Sequence, residues 1–204
     1  MSARGPFQDK PALRVEALSI VRGDRVLFAD LAFAAQPGDY VEVRGANGAG
    51  KTSLLRAIAG FLRPHAGAIH VEGAEEPALA LHYLGHLNGL KPNLNVRAHV
   101  RFWAELFGAR AEGDVVERIG LTRQAELPVR ALSQGQARRL ALARLLAAPR
   151  PIWLLDEPSA ALDVQGRSFV SDLISVHCRN GGIILAAVHE PLGPTPTHAV
   201  TIGA

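Results

Sequence analysis

The sequence predicts an α/β fold with a mainly parallel core sheet, an antiparallel β part near its N-terminus and an inserted helical lobe. Strand-like apolar runs alternate with helix-like runs, which favours a parallel sheet. A glycine-rich stretch, GANGAGKT at residues 45–52, joins one such strand to a helix. From about residue 96 to residue 147 the pattern is helical, which indicates the inserted lobe.

The individual elements follow from the spacing of apolar residues and from glycine and proline punctuation. Strands are expected at residues 13–19, 25–33, 40–44, 68–73, 79–85, 152–156, 183–188 and 198–202. Helices are expected at residues 51–60, 96–107, 134–148 and 164–177, with a loop at 89–95. A chain of this length accommodates one well-buried domain but not two large ones. We therefore expect a single domain over residues 1–204, with the helical lobe at about 88–148.

Composition and charge are ordinary for a globular protein, with 48% hydrophobic and 20% charged residues. The formal net charge of +3 is too small to be the signature of a nucleic-acid-binding protein, so no nucleic-acid partner is expected. Cys178 is the only cysteine, which makes an internal disulfide bond impossible and fits a reducing compartment.

The sequence also indicates how the chain relates to membranes. The N-terminal stretch MSARGPFQDKPALRVEAL has no apolar segment of signal-peptide length. The longest apolar run, IILAAV at 183–188, is far shorter than the roughly 20 residues that span a bilayer. We therefore expect any membrane role to depend on a partner.

The glycine-rich stretch fits the pattern G-x-x-x-x-G-K-[ST] and lies between a strand and a helix, as that pattern requires. Its backbone N–H groups can curl around a phosphate, and the helix N-terminus adds partial positive charge. Lys51 is expected to reach the β- and γ-phosphates, and the Thr52 hydroxyl to bind Mg²⁺. The competing interpretation is a glycine-rich turn before an ordinary helix. The expected ATP-binding residues in this stretch are Gly45, Ala46, Asn47, Gly48, Ala49, Gly50, Lys51, Thr52 and Ser53.

Two other strands end in polar residues that complete such a site. In PIWLLDEP, Asp156 is the expected Mg²⁺ partner, and Glu157 is placed to polarise an attacking water. His189 ends the run IILAAV and would point to the same end of a parallel sheet, where an imidazole could hold the γ-phosphate or the water. Solvated carboxylates and a structural histidine are the alternatives.

The stretch LSQGQ, which begins at Leu132, indicates a second anion-binding surface. Ser133 is a suitable helix N-cap residue. Gly135 lowers helix stability, so its presence indicates a close backbone approach at that end. The helix N-terminus at Ser133, Gly135 and Gln136 can bind an anion, which raises the question of whether two copies of the chain share their phosphate sites.

Together these features resemble the ATP-binding subunit of an ABC transporter, a P-loop NTPase with an ABC nucleotide-binding domain. GANGAGKT resembles the Walker A loop, LSQGQ the signature motif and WLLDEP the Walker B strand with its catalytic glutamate. SAALD at 159–163 is similar to the D-loop, and VHE to the switch-histidine motif. These five motifs occur in the order of the family and cover nearly the whole chain.

The resemblance implies an ATPase that works as a head-to-tail homodimer with two ATP molecules at its interface. Glu157, His189 and Lys51 would be catalytic, with Thr52 and Asp156 at the Mg²⁺ and Asp163 in the D-loop. Each ATP would also meet the signature residues of the other copy, which are Ser133, Gln134, Gly135 and Gln136.

Within that family, GANGAGKTSLLRAIAGFLRPHAG and LHYLGHLNGLKPNLNV are similar to the ATPases of cytochrome c maturation systems. This resemblance implies haem export, or release of a haem-loaded chaperone, with integral membrane partners of the CcmB and CcmC type. It also implies a peripheral location at the cytoplasmic face of the bacterial inner membrane. The sequence has no C-x-x-C-H motif, and no haem site is expected on this chain.

Two positions depart from the wider family. Arg22 stands where an aromatic residue often stacks on adenine, and its guanidinium plane can stack instead or lie in an exposed loop. Leu87 stands where the family has its Q-loop glutamine, so His86 or Asn88 replaces that contact or the contact is missing.

Alternative functions keep the same nucleotide chemistry. One is the ATPase subunit of another small ABC exporter, which only its partner would distinguish. Another is a soluble ABC ATPase without a transport role, although such proteins usually carry two cassettes or a long coiled coil. A GTPase is disfavoured, because no N-K-x-D base-reading motif is present.

Overall fold

The computed structural model describes residue 7 and residues 10–108 and 114–203. In these residues the strands are β1 (Ala12–Arg22), β2 (Arg25–Ala35), β3 (Tyr40–Arg44), β4 (Ala66–Glu72), β5 (Leu81–Leu84), β6 (Ile152–Asp156), β7 (Ile183–Ala187) and β8 (His198–Thr201). The helices are α1 (Lys51–Ile58), α2 (Val96–Leu106), α3 (Val115–Arg118), α4 (Gln134–Ala147) and α5 (Val164–Arg179). Short 3₁₀ turns lie at Pro77–Leu79, Thr122–Gln124 and Val129–Ala131.

The strands form two sheets, as the predicted fold class requires. Five of them make a parallel sheet in the order β5-β6-β7-β3-β8. The other three make an antiparallel sheet in the order β2-β1-β4, near the start of the chain. The α/β fold with a parallel core sheet and an N-terminal antiparallel part is therefore confirmed.

The parallel sheet is covered on both faces, which explains the uninterrupted apolar runs of its central strands. Every residue of β6 and β7 is buried. Ile152 and Leu154 of β6 pack in one apolar cluster with Leu54 of α1. Their neighbours on the opposite face, including Trp153, pack in a second cluster with residues of α4 and α5, such as Leu142.

Helix α4 lies between the second cluster and the core of the helical lobe. Leu142 and Leu145 face the sheet, whereas Leu140 and Ala143 pack with residues of α2 and α3. A helix that packs on two sides needs apolar residues around most of its surface, as the sequence LALARLLAA shows. Movements of the lobe against the sheet must therefore involve α4.

The predicted elements differ from the structure mainly at their ends. Helix α1 ends at Ile58, two residues early, because Gly60 adopts a φ of 78°. The fifth strand begins at Leu81 instead of residue 79, because Pro77 starts a 3₁₀ turn. Helix α3 was not expected from the sequence. In the part of the chain that is described, no helix is long and apolar enough to cross a bilayer.

One buried histidine generates a prediction about stability. The His177 ring stacks on Trp153 with ring centroids 3.7 Å apart, and its Nε2 lies 3.0 Å from the Pro151 carbonyl. Burial lowers the pKa of His177 to about 4. Below pH 6.5 the unfolded chain therefore takes up a proton at this site that the folded chain does not, so acid favours unfolding.

We predict that lowering the pH from 6.5 to 5 costs about 2 kcal/mol of folding free energy through His177. Urea unfolding of the wild type and of His177→Gln at both pH values measures this, and the variant should lose less stability on acidification. His65→Gln, at an exposed position, is the control and should keep the wild-type pH dependence. An equal acid loss in His177→Gln and the wild type would contradict the assignment.

Candidate functional site

The glycine-rich loop connects β3 to α1 and forms one wall of the candidate site. Gly50 is the N-cap residue of α1 and has a φ of 114°, which residues with a side chain rarely adopt. A Cβ atom there would lie 3.1 Å from ring atoms of Phe28. The second glycine of the motif is therefore required both by backbone conformation and by the close packing of β2.

Lys51, the first residue of α1, is directed back over this loop. Its side chain is buried, and its Nζ donates hydrogen bonds to the carbonyl oxygens of Gly45 at 2.7 Å and Ala46 at 3.2 Å. Both partners are neutral carbonyl oxygens, so they do not neutralise the charge of the ammonium. That charge is available to an anionic phosphate that enters the same space.

Thr52 and Asp156 lie together although they are far apart in sequence. The Thr52 hydroxyl donates to the Asp156 carboxylate, with Oγ1 2.9 Å from Oδ2 and 3.1 Å from Oδ1. Burial raises the pKa of the Asp156 carboxyl, and the hydrogen bond from Thr52 opposes that shift. Hydroxyl and carboxylate oxygens are the ligands that Mg²⁺ prefers, so these two residues fit the predicted metal site.

Glu157 follows β6 and has a φ of 49°, unusual for a residue with a side chain. Its N–H donates to the Ala187 carbonyl at 3.0 Å, which anchors it to the end of β7. On the side chain, Oε1 lies 3.0 Å from Nε2 of His189 and Oε2 lies 4.0 Å from Nδ1 of His86. The carboxylate is therefore flanked by two imidazoles and still partly open to solvent.

These groups line one cleft of about 730 Å³. Of the predicted residues it contains Arg22, Ala46, Asn47, Gly48, Gly50, Lys51, Thr52, Ser53, Asp156, Glu157 and His189. Gly45 and Ala49 are outside this lining: Gly45 lies against the Ile202 carbonyl, and Ala49 lies against Gly203. Leu27 and Arg56, which sequence reasoning did not single out, also line the cleft.

The predicted signature residues lie in a different cleft, of about 400 Å³. Ser133 caps α4 in a capping box: its hydroxyl accepts from the Gln136 N–H, and the Gln136 side chain accepts from the Ser133 N–H. A Cβ atom on Gly135 would lie 3.0 Å from the Ala161 carbonyl, which is the close approach that the sequence indicated. Gln134 is exposed and outside the lining of this cleft.

Asp163, the last residue of the predicted D-loop, lies beside the signature residues. It caps α5 by accepting from the Gly166 N–H at 2.8 Å, and it pairs with Arg139 of α4 at 2.6 Å. The hydrogen bond from the Gly166 N–H lowers the pKa of Asp163 most, and the hydrogen bond from Arg139 lowers it further. This cleft shares no lining residue with the cleft at the glycine-rich loop. Within one copy of the chain, the signature residues and the glycine-rich loop therefore form two separate surfaces.

The segment after β5 shows how this chain differs at the glutamine position. The Leu87 side chain is 82% exposed and has no polar atom to offer. Asn88 turns away from the cleft, and its Oδ1 accepts from Arg138 at 3.0 Å. Of the two candidate replacements, only His86 is directed at Glu157.

Sequence reasoning missed Arg138, which contacts the backbone of Asp156 and Glu157 from within the core. Arg138 is 3% exposed and donates hydrogen bonds to the carbonyl oxygens of Asp156 and Glu157. The available signal was its spacing, because Arg138 precedes Ala141 by three residues and Leu142 by four and therefore falls on the buried face of α4.

The fold and the site define a P-loop ATPase domain, and comparisons with known proteins identify its family. The ABC transporter family profile matches residues 28–160. A curated relative from Hyphomonas neptunium, "Cytochrome c biogenesis ATP-binding export protein CcmA", is 47% identical over 94% of this chain and 97% of its own length. A protein of the same name from Rhodopseudomonas palustris is 48% identical over 92% of this chain and 96% of its own length.

Solved structures support the fold alone, because their sequences are more distant. A putative ABC transporter ATP-binding protein from Pyrococcus furiosus has a TM-score of 0.81 at 23% identity, covering 94% of this chain and 97% of its own. A dimeric ATP-binding cassette bound to ADP and Pi has a TM-score of 0.80 at 19% identity, covering 93% of this chain and 94% of its own.

The chain belongs to the ABC transporter family and, within it, to the cytochrome c biogenesis ATP-binding export proteins.

We predict that Thr52→Val weakens the effect of Mg²⁺ on nucleotide affinity, because the variant loses the hydroxyl that faces Asp156. Fluorescence titration with a MANT-labelled ATP, with Mg²⁺ and with EDTA, measures this. The Mg²⁺-dependent gain should fall about tenfold in Thr52→Val. Thr52→Ser keeps the hydroxyl and is the matched control. A full Mg²⁺ effect in Thr52→Val would show that this hydroxyl is not a ligand.

Proposed function

We propose that the protein is the ATP-hydrolysing subunit of an inner-membrane ABC transporter complex for cytochrome c biogenesis. The observation that carries this proposal is the 47% identity to a cytochrome c biogenesis export ATPase over 94% of the chain. The cleft supports it, because an anion-binding loop, a hydroxyl–carboxylate pair and a flanked glutamate line the same space. In this proposal residues 1–204 form one ATPase domain with an inserted helical lobe.

Binding of ATP begins at the glycine-rich loop. The backbone N–H groups of residues 46–52 and the N-terminus of α1 receive the phosphates, and Lys51 neutralises charge at the β- and γ-positions. Thr52 and Asp156 would hold Mg²⁺, which neutralises charge on the phosphate oxygens when it is bound. Arg22 lines the same cleft and supplies a planar guanidinium for the base.

Hydrolysis is assigned to Glu157. Its carboxylate orients a water and accepts a proton as the water oxygen bonds to the γ-phosphorus, and the bond to the β–γ bridging oxygen breaks to release ADP. His189 contacts the same carboxylate at 3.0 Å, and in this proposal it holds the γ-phosphate or the water. Glu157 combines an unusual φ with a position in the lining of the cleft.

Completion of the site requires a second copy of the chain. The surface formed by Ser133, Gly135 and Gln136 offers a capped helix N-terminus, yet it lies in a cleft of its own. A head-to-tail homodimer would place this surface of one copy on the ATP bound by the other. Asp163, at the edge of the same cleft, would then lie at the interface.

The transport role depends on membrane partners. Integral subunits of the CcmB and CcmC type would bind the helical lobe, so that closing and reopening of the ATPase dimer moves them. The cargo step is haem export or the release of a haem-loaded chaperone. We assign haem handling to those partners, and this chain to the cytoplasmic face of the inner membrane as a peripheral subunit.

We predict that Glu157→Gln keeps ATP binding, reduces turnover to a slow residual rate and traps a dimer, because the neutral amide cannot accept the proton from water. Size-exclusion chromatography with light scattering, with and without Mg-ATP, detects the dimer. Adding Ser133→Arg to this variant should prevent the ATP-dependent dimer and leave MANT-ATP binding within about twofold, since Ser133 contacts only the partner's nucleotide. Wild-type turnover by Glu157→Gln would show that the base is misassigned.

The cargo is tested by a mild-detergent pull-down of the tagged chain from native membranes. We expect integral membrane partners and a Soret band that changes when Mg-ATP is added. Lys51→Met is the control, which should recover the same partners without the ATP-dependent change. Partners without haem would remove the cytochrome c assignment and leave a different ABC exporter, and the absence of membrane partners would point to a soluble ABC ATPase.

A further inference from the structure

Arg138 has an unusual set of partners for a buried charge. Its side chain is 3% exposed, and among the described residues its guanidinium has no carboxylate side chain within hydrogen-bonding distance. It donates instead to four backbone carbonyls and one side-chain amide: Pro158 O at 3.2 Å, Gly85 O at 2.9 Å, Asn88 Oδ1 at 3.0 Å, Asp156 O at 2.9 Å and Glu157 O at 2.7 Å.

Only an arginine can make this set of contacts. Its planar fork has five N–H donors, and here all three nitrogens are used. Burial lowers the pKa of Arg138, while the nearby charges of Asp156 and Glu157 oppose that shift. A lysine would keep the positive charge but could not reach carbonyls on both sides of the fork.

The shortest hydrogen bond of Arg138 goes to the carbonyl of Glu157, the residue that is proposed to activate water. Glu157 has a φ of 49°, in a region that residues with a side chain enter only when their surroundings hold them there. Its N–H is bonded to Ala187 of β7 at 3.0 Å, and its carbonyl to Arg138 of α4 at 2.7 Å. These two bonds fix the peptide on both sides of the Cα atom and thereby the direction in which the side chain leaves the backbone.

The same guanidinium holds the segment that follows β5. It bonds to Gly85 and Asn88, which flank Leu87, the exposed residue at the glutamine position. Arg144, farther along α4, donates to the carbonyl of Asn88 in this segment and to that of Tyr83 in β5, both at 3.2 Å. Helix α4 is therefore bonded both to this segment and to Glu157.

We propose that Arg138 is a positioning residue for ATP hydrolysis, which fixes the Glu157 peptide and joins it to residues 85–88 and to the helix that carries Ser133. This inference rests on the proposed role of Glu157 as the group that activates water. In this chain Leu87 cannot make a polar link between the segment after β5 and the site. Arg138 makes that link inside the core, because it bonds to the carbonyl of Gly85 and to those of Asp156 and Glu157.

A purely structural role for Arg138 makes a different prediction. If Arg138 acts through Glu157, its replacement should cost little once the Glu157 carboxylate is gone, because residues that act as a unit are not additive. If it merely supports the fold, its replacement should slow the reaction by the same factor whether or not Glu157 is intact.

The experiment is single-turnover cleavage of γ-³²P-ATP by an excess of the full-length chain, which resolves slow reactions. Arg138→Gln should lower the rate by about tenfold or more, because small misplacements of a reacting group carry such a penalty. Its MANT-ATP dissociation constant should stay within about threefold of the wild type, since nucleotide binding uses other residues. Arg138→Lys keeps the charge, and its single-turnover rate should lie between that of Arg138→Gln and that of the wild type.

Two further variants make the outcome decisive. Arg97→Gln removes an exposed arginine of the helical lobe, paired with Glu126, and should retain the wild-type rate. In a Glu157→Gln background, followed over hours, adding Arg138→Gln should change the residual rate by less than about twofold. Thermal unfolding of each variant checks that the chain is folded.

Each adverse result has its own meaning. A wild-type rate in Arg138→Gln, with Glu157→Gln inactive, overturns the role of Arg138 and leaves that of Glu157. Equal losses in both backgrounds make Arg138 a structural residue and also overturn the inference. A wild-type rate in Glu157→Gln overturns the proposed base itself.

Discussion

The parallel pairing of β6, β7 and β3 places the functional groups of this protein next to one another. Ala187, at the end of β7, is in register with Asp156 of β6 and with Val43 of β3, two residues before the glycine-rich loop. The carboxyl ends of all three strands therefore lie side by side, and open α/β sheets bind their ligands at these ends. The loop, the carboxylates and His189 converge there because of the strand direction and register.

The two faces of the sheet have different tasks. On one face, α1 and the antiparallel strands pack over β6 and β7 and hold the glycine-rich loop, as the contact between Phe28 and Gly50 shows. On the other face, α4 and α5 carry the signature cleft and Asp163. The nucleotide cleft and the surface that would bind a second nucleotide are thus built on different elements of one core, so opposing copies can exchange them.

The polar interior is organised around backbone groups more than around ion pairs. Lys51 donates to two loop carbonyls, and Arg138 donates to four carbonyls of two segments. In both cases the hydrogen bonds of the buried cation go to oxygens that carry no net charge. They hold the backbone at the places where its conformation is least favourable on its own, as at Glu157.

The sequence alone determined the type and approximate limits of most elements, the phosphate loop and the cap at Ser133. These features rest on local rules: periodicity, glycine conformation and capping act over a few residues. The tertiary structure alone decided the strand order, the choice of His86 over Asn88 beside Glu157, and the contacts of Arg138. The contacts of Arg138 join residues 18 to 53 positions apart, and no local pattern records which carbonyl a distant guanidinium will meet.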